Sequence, residues 1–262
     1  MDTETRDMAV DAVAGFCAGA ACTLIFQPLD TVLTRQQYAG ASSMEAAAAV
    51  LRRGGGLALW RGATPLIALV PVQNALLMVG YGVGERWGRR VDQRSSAPVF
   101  VGGCAGGFLQ AFVASPFELA KVRRQLFGRP PYHMALATRG LHATVHRDAI
   151  PHGVWFWVYA ECKRVYGDDA AATMASGAVA AAVAWVVGYP ADVLKTRIQG
   201  SPQHLSLARA ARDLLAREPP GVVPVVRALY RGLGLKLLRA VPASAANFSV
   251  YEWTKRKLER AV

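Results

Sequence analysis

The sequence predicts an all-α membrane protein of six transmembrane helices, arranged as three related pairs. Three observations predict it. First, one pattern is written three times: PLDTVLTRQQ from Pro28, PFELAKVRRQ from Pro116 and PADVLKTRIQ from Pro190. Second, each copy closes an apolar stretch long enough to cross a bilayer. Third, a glycine recurs at Gly62, Gly140 and Gly232, each followed 19 residues later by a tyrosine, Tyr81, Tyr159 and Tyr251. An internal repeat decides architecture before any local assignment.

Each unit reads as an apolar segment ending in the proline-acid-base pattern, a polar stretch, then the glycine and a second apolar segment. The units run approximately 7–92, 93–167 and 168–262 within one domain. The apolar spans are roughly 10–29, 64–84, 98–117, 149–162, 171–191 and 235–251. A bilayer core needs about 20 apolar residues of helix, so the fourth span is short. The glycine is preceded by Trp60-Arg61 and Tyr230-Arg231 in the outer units and by Thr138-Arg139 in the middle one. From Pro116 to Gly140 is 24 residues, against 34 and 42 in the other units. Small residues at i and i+4 let membrane helices approach closely. Gly15 and Gly19, Gly102 and Gly106, and Gly103 and Gly107 have that spacing, and Gly177 sits among alanines.

Composition agrees with a membrane chain. Hydrophobic residues make up 53% and charged residues 18%, against about 25% charged in soluble proteins. The net charge is +12. Its bases flank the spans, as in Arg52-Arg53, Arg89-Arg90 and Lys255-Arg256-Lys257. That placement suits anionic headgroups, of the cardiolipin kind, rather than nucleic acid. Cys17, Cys22, Cys104 and Cys162 lack ligand spacing and read as small buried hydrophobes. No cofactor, metal cluster, phosphate loop or nucleophile motif is present, so no enzyme is expected. The acidic opening, residues 1–7, reads as neither a signal nor a transit peptide, and any organelle address is expected further in.

The acid and base of each copy lie three residues apart and share a helix face. Inside a membrane such charges are costly unless paired or wetted. Three proline-kinked helices meeting about an axis solve this, with an acid on one helix meeting a base on the next. A ring of ion pairs that can break and re-form is a gate, and the closing glutamine can brace it.

These three copies and their half-repeats resemble the mitochondrial carrier family over nearly the whole chain. The resemblance implies a pseudo-threefold six-helix bundle, multi-pass in the inner mitochondrial membrane and monomeric, with one central site exposed alternately to either side, and a short matrix-side surface helix in each unit that the shortened second unit is expected to lack. It implies a matrix gate pairing Asp30 with Lys121 and Glu118 with Lys195, with Gln37, Gln125 and Gln199 as braces. Asp192 should meet a base at position 33, where this chain has Leu33. A second, cytoplasmic gate is implied at Tyr81, Tyr159-Lys163 and Tyr251-Glu252-Lys255, with Glu85 where a base is expected. The matrix ring is the better tied, so the resting state is expected to be closed to the matrix.

Seven residues after each repeat glycine stand Leu69, Arg147 and Arg239, which the resemblance places at the substrate contact points. Charge within or beside an apolar span is a functional hypothesis by default. Guanidinium forks a carboxylate, and the adjacent Asp148 suits an ammonium. Arg147, Asp148 and Arg239 thus read as a zwitterion site, with Asn74 and Trp185 as further contacts. Gln73, His152, Trp155 and Asn247 are secondary candidates. The implied cargo is a cationic or zwitterionic amino acid, or a carnitine-like or acylcarnitine-like metabolite. Two other readings are a transport-inactive membrane interaction protein and a proton- or fatty-acid-linked uncoupling carrier.

Overall fold

The computed structural model describes residues 3–91, 96–128, 140–167, 169–201 and 205–261. Every regular element among them is helical. Six long helices dominate: α1 (Thr3–Ala39), α3 (Ala63–Val91), α4 (Ala97–Phe127), α5 (Leu141–Tyr166), α6 (Ala170–Gly200) and α9 (Leu233–Ala261). Three short α-helices, α2 (Ser43–Gly54), α7 (Leu207–Leu215) and α8 (Val222–Leu229), and a 3-10 helix at Gly56–Trp60 lie in the polar stretches of the first and third units. The polar stretch of the middle unit, where no surface helix is expected, falls at 129–139, outside the described residues.

The shortest long helix, α5, has 26 residues. At about 1.5 Å per residue it exceeds a 30 Å hydrocarbon core. By composition as well as length, Val13–Ala39, Ala97–Phe127 and Ala171–Gly200 can cross a membrane. A fourth path, Gly56–Val70 with Val72–Val91, qualifies but bends by 45°, with Pro71 at the break. Helix α5 is longer than its apolar run because it takes in Arg147 and Asp148 before that run and Lys163 and Arg164 after it.

The six long helices form a ring in the order α1, α3, α4, α5, α6, α9, each touching the next, with α9 returning to α1. Inside the ring α1, α4 and α6 touch one another pairwise. The patterned prolines Pro28, Pro116 and Pro190 lie within these three helices, which continue past them to Ala39, Phe127 and Gly200.

Glycine sets the closest approaches. Gly102 and Gly106 face α3, where an added Cβ would come within 2.9 Å of Tyr81 O and 3.1 Å of Tyr81 N. Gly103 and Gly107, one position further round, face α5, where it would meet His152 O at 2.6 Å and Ala149 Cα at 2.9 Å. Two interleaved glycine pairs therefore let α4 pack backbone to backbone on both neighbours. Gly19 meets Val70, whereas Gly15 and Gly177 have open space.

The repeated glycine has a conformational reason. Gly62, Gly140 and Gly232 have φ of +87°, +80° and +95°, a region that side-chain-bearing residues rarely adopt. Each turns the chain into the second long helix of its unit, α3, α5 or α9, and lies against a neighbouring patterned helix. Gly62 lies on Lys121, Gly140 on Gln199, and Gly232 on Leu33 and Tyr189.

The short helices are locally specified. Ser42 caps α2: its Oγ accepts from Glu45 N at 3.3 Å and its own N–H donates to Glu45 Oε2 at 2.9 Å. This reciprocal box satisfies two orphan donors and holds the exposed Glu45 carboxyl below its ordinary range. Helix α7 starts with Ser206 Oγ accepting from Arg209 N. Its buried Leu214 packs with Tyr189 and Val193 of α6 and Ala228 of α8.

Candidate functional site

The three patterned helices bring their charges to one small chamber of about 60 Å³, lined among others by Asp30, Glu118, Lys121, Asp192, Lys195 and Leu33. Lys121 Nζ lies 3.1 Å from Asp30 Oδ2. Lys195 Nζ, 4% exposed as a side chain, pairs with Glu118 Oε2. Asp192 receives a hydrogen bond of 2.9 Å from Gln37 Nε2, and Gln37 Oε1 lies 2.8 Å from Thr196 Oγ1. Gln37 therefore ties α1 to α6 where Leu33 offers no charge. The other two brace glutamines behave differently. Gln125 Nε2 donates to Thr31 Oγ1 at 3.1 Å. Gln199 is fully buried beneath Gly140, and its amide atoms have no partner among the described residues.

Three bases from the second long helices of their units, α5 and α9, enter the same cluster. Arg147 of α5 pairs through Nη2 with Glu118 of α4 and through Nη1 with Asp148 of its own helix. Its Nε is 3.3 Å from Asp192 Oδ1 of α6. Arg239 of α9 reaches Asp30 Oδ1 at 2.6 Å. Lys236 of α9 lines the chamber, with Nζ 4.1 Å from the ring centre of Trp185. Four carboxylates, Asp30, Glu118, Asp148 and Asp192, thus face five bases. Distributed pairing of this kind is what buried charges require.

A larger cavity of about 370 Å³ adjoins the cluster. Gln73, Leu77 and Met78 of α3, Pro151, His152, Trp155 and Phe156 of α5, and Ala181, Ala184, Trp185 and Gly188 of α6 line it. Arg147 lines both cavity and chamber. Asp148 is 0% exposed behind it. Asn74 is exposed on α3 and is not among the lining residues. His152 is hydrogen-bonded rather than free: Nδ1 lies 2.7 Å from Asp148 O, and Gln110 Nε2 is 3.2 Å from Nε2. The Asn247 side chain lies outside the described residues.

At the level of the repeat tyrosines contacts run both along and between helices, Ser96 at the start of α4 donating to Glu161 of α5. Glu85 is taken by Arg89 of α3 at 2.6 Å. Lys163 lies 5.7 Å from the ring centre of Tyr159, and Lys255 5.8 Å from that of Tyr251. Tyr81 stacks on Phe156 of α5 at 4.3 Å. The Glu252 side chain lies outside the described residues.

Sequence reasoning overlooked two features. Lys236 stands within the sixth apolar span, and a lone base there was a sufficient signal. The arginine seven residues after each patterned proline caps the neighbouring helix in a cycle. Arg35 Nη2 donates to Gln125 O at 2.9 Å, Arg123 Nη2 to Ser201 O at 3.1 Å, and Arg197 Nε to Gln37 O at 3.1 Å. Helix C-termini leave carbonyls unpaired, and here each patterned helix satisfies those of the next.

The mitochondrial carrier protein family profile matches residues 4–90 and 167–261, the first and third units. The chain belongs to the mitochondrial carrier family. This carrier is 32% identical to the mitochondrial arginine transporter BAC2 of Arabidopsis thaliana over 94% of its own length and 90% of that protein's. It is 29% identical to the mitochondrial basic amino acids transporter of Homo sapiens, over 92% and 88% of the two chains. It is 28% identical to the human solute carrier family 25 member 45, over 93% and 97%. These relatives are similar along the whole carrier, middle unit included. None of the three names carries carnitine. The protein is therefore a transporter of the mitochondrial membrane, and its cargo is a small metabolite.

Proposed function

We propose that this carrier moves a cationic amino acid, arginine foremost, across the inner mitochondrial membrane by alternating access. It works as a multi-pass monomer, its flanking bases seated on anionic headgroups of the cardiolipin kind. The observation that carries the reading is Arg147, a guanidinium at the edge of an otherwise largely apolar cavity, with Asp148, Glu118 and Asp192 around it. The substrate α-carboxylate takes the Arg147 fork, with Arg239 as second anchor. Its α-ammonium takes a carboxylate so released. Its side-chain cation lies against the indole of Trp155, since the Trp185 ring already carries Lys236, and a desolvated cation–π contact there contributes about 2 kcal/mol. The names of the relatives support the same cargo class. The ion-paired cluster closes the matrix side, and the cavity faces the intermembrane space.

A thermal-shift panel of L-arginine, L-lysine, L-carnitine, ATP and malate tests this. A ligand at 100 times its Kd stabilises the folded state by about 2.7 kcal/mol. Arginine and lysine are expected to raise the unfolding midpoint, and ATP and malate to leave it unmoved. A shift with ATP or malate alone would contradict the reading.

A further inference from the structure

We infer that Arg147 is the third base of the matrix gate, so that one guanidinium belongs to both the latch and the substrate cavity. The pattern supplies only two bases to three acids. Lys121 serves Asp30 and Lys195 serves Glu118. The position that would serve Asp192 is Leu33, 4% exposed, its Cδ1 lying toward Gly232, the turn residue before α9. Arg147 reaches Asp192 from α5 instead, at 3.3 Å. The same side chain holds Glu118 of α4 and the fully buried Asp148. The charge that Leu33 cannot supply to Asp192 from α1 comes instead from α5, in a three-way clamp of α4, α5 and α6, while Gln37 keeps α1 tied to α6. Lys236 lines the same chamber and adds its charge to Asp192 from a distance, but its ammonium is placed over the Trp185 ring and the direct ion pair to Asp192 is made by Arg147.

The position of Arg147 has a consequence for coupling. Its Nε contact to Asp192 is an ion pair without hydrogen-bond geometry, the loosest of its three. A carboxylate entering the cavity meets Arg147 first, because that residue lines the cavity and Asp192 does not. Pairing with the ligand weakens the hold on Asp192, so carboxylate binding and gate release are one event. A ligand with the cation but no carboxylate occupies the cavity without releasing the gate. The ligand half of this inference rests on the cargo proposed above; the gate half does not.

The test uses the full-length carrier, purified in detergent and reconstituted. Arg147→Leu is expected to lower the unfolding midpoint in the absence of any ligand. Adding Leu33→Lys, which offers Asp192 a base from within the chamber, should recover at least half of that loss without restoring arginine exchange. A double variant no more stable than Arg147→Leu overturns the gate assignment. Should Arg147→Leu fail to yield folded protein, Arg147→Lys replaces it, with the same criterion. In the wild-type carrier, agmatine, which is arginine without its carboxylate, should inhibit arginine exchange and not itself be exchanged. Agmatine exchanged as fast as arginine overturns the coupling. Stability rescue in a carrier that moves no arginine would leave the gate assignment standing and remove only the cargo reading.

Discussion

Glu118→Gln is expected to collapse the matrix-side closure. One carboxylate there serves two cations from two helices: Lys195 of α6 on Oε2 and Arg147 of α5 on Oε1. Glu118 itself belongs to α4 and is 8% exposed. The glutamine amide keeps the shape but turns an NH₂ toward one cation and removes the charge from both. Removing one partner of a buried pair costs about 3–5 kcal/mol, because the other charge stays buried. Spread over a two-state carrier, 2.8 kcal/mol already changes the ratio of states about a hundredfold. Cysteine labelling of a cavity position from each face of oriented vesicles reads that ratio. The wild type should label from the intermembrane-space side and Glu118→Gln from both. An unchanged labelling ratio would mean that the cluster does not close the carrier.

Gly103→Val is expected to part α4 from α5. A Cβ at Gly103 would stand 2.6 Å from His152 O and 2.7 Å from Gly153 Cα, both backbone atoms. Gly153 in turn faces Phe100 O at 2.9 Å, so neither helix can yield locally. Overpacking typically costs about 1–3 kcal/mol, and a backbone clash on both sides of one crossing lies at the upper end. Arg147 and Asp148 sit one turn before that crossing, so the site would move with it. Gly177→Ala is the control. Nothing lies within 4 Å of Gly177, and alanine in a helix is favoured over glycine by about 0.8–1.0 kcal/mol. The unfolding midpoint in detergent should fall for the first variant and hold or rise for the second. Equal shifts would remove the glycine pairs from the account of packing.

Much of the architecture was legible because it is repeated. A single proline-acid-base run is ambiguous, whereas three copies at matched positions constrain one another, and the left-handed glycines Gly62, Gly140 and Gly232 mark the same corner three times. Gly102 with Gly106 and Gly103 with Gly107 showed close packing by spacing alone, but the same spacing at Gly15 and Gly19 gave contact at only one of the two. Spacing does not say which face meets a neighbour. The extent of α5 was hard to read because Arg147 and Asp148 precede its apolar run, although the helix passes through them, Arg147 pairing with Asp148 and with acids of α4 and α6. The base missing at Leu33 was visible in the pattern. What meets Asp192 instead was not, since Arg147 and Gln37 come from other units and only the ring brings them together. Lys236 escaped notice through being read as part of a span rather than as an exception to it. The three glutamines occupy equivalent pattern positions yet find an acid, a hydroxyl and no described partner, a difference set by side chains that the pattern does not contain.

Exchange of radiolabelled L-arginine into proteoliposomes loaded with unlabelled arginine tests the central claim most directly. The account predicts saturable uptake that requires internal substrate, is competed by L-lysine and not by malate or ATP, and is lost in Arg147→Leu. Uptake indistinguishable from protein-free liposomes, or uptake competed by malate or ATP and not by lysine, would contradict it.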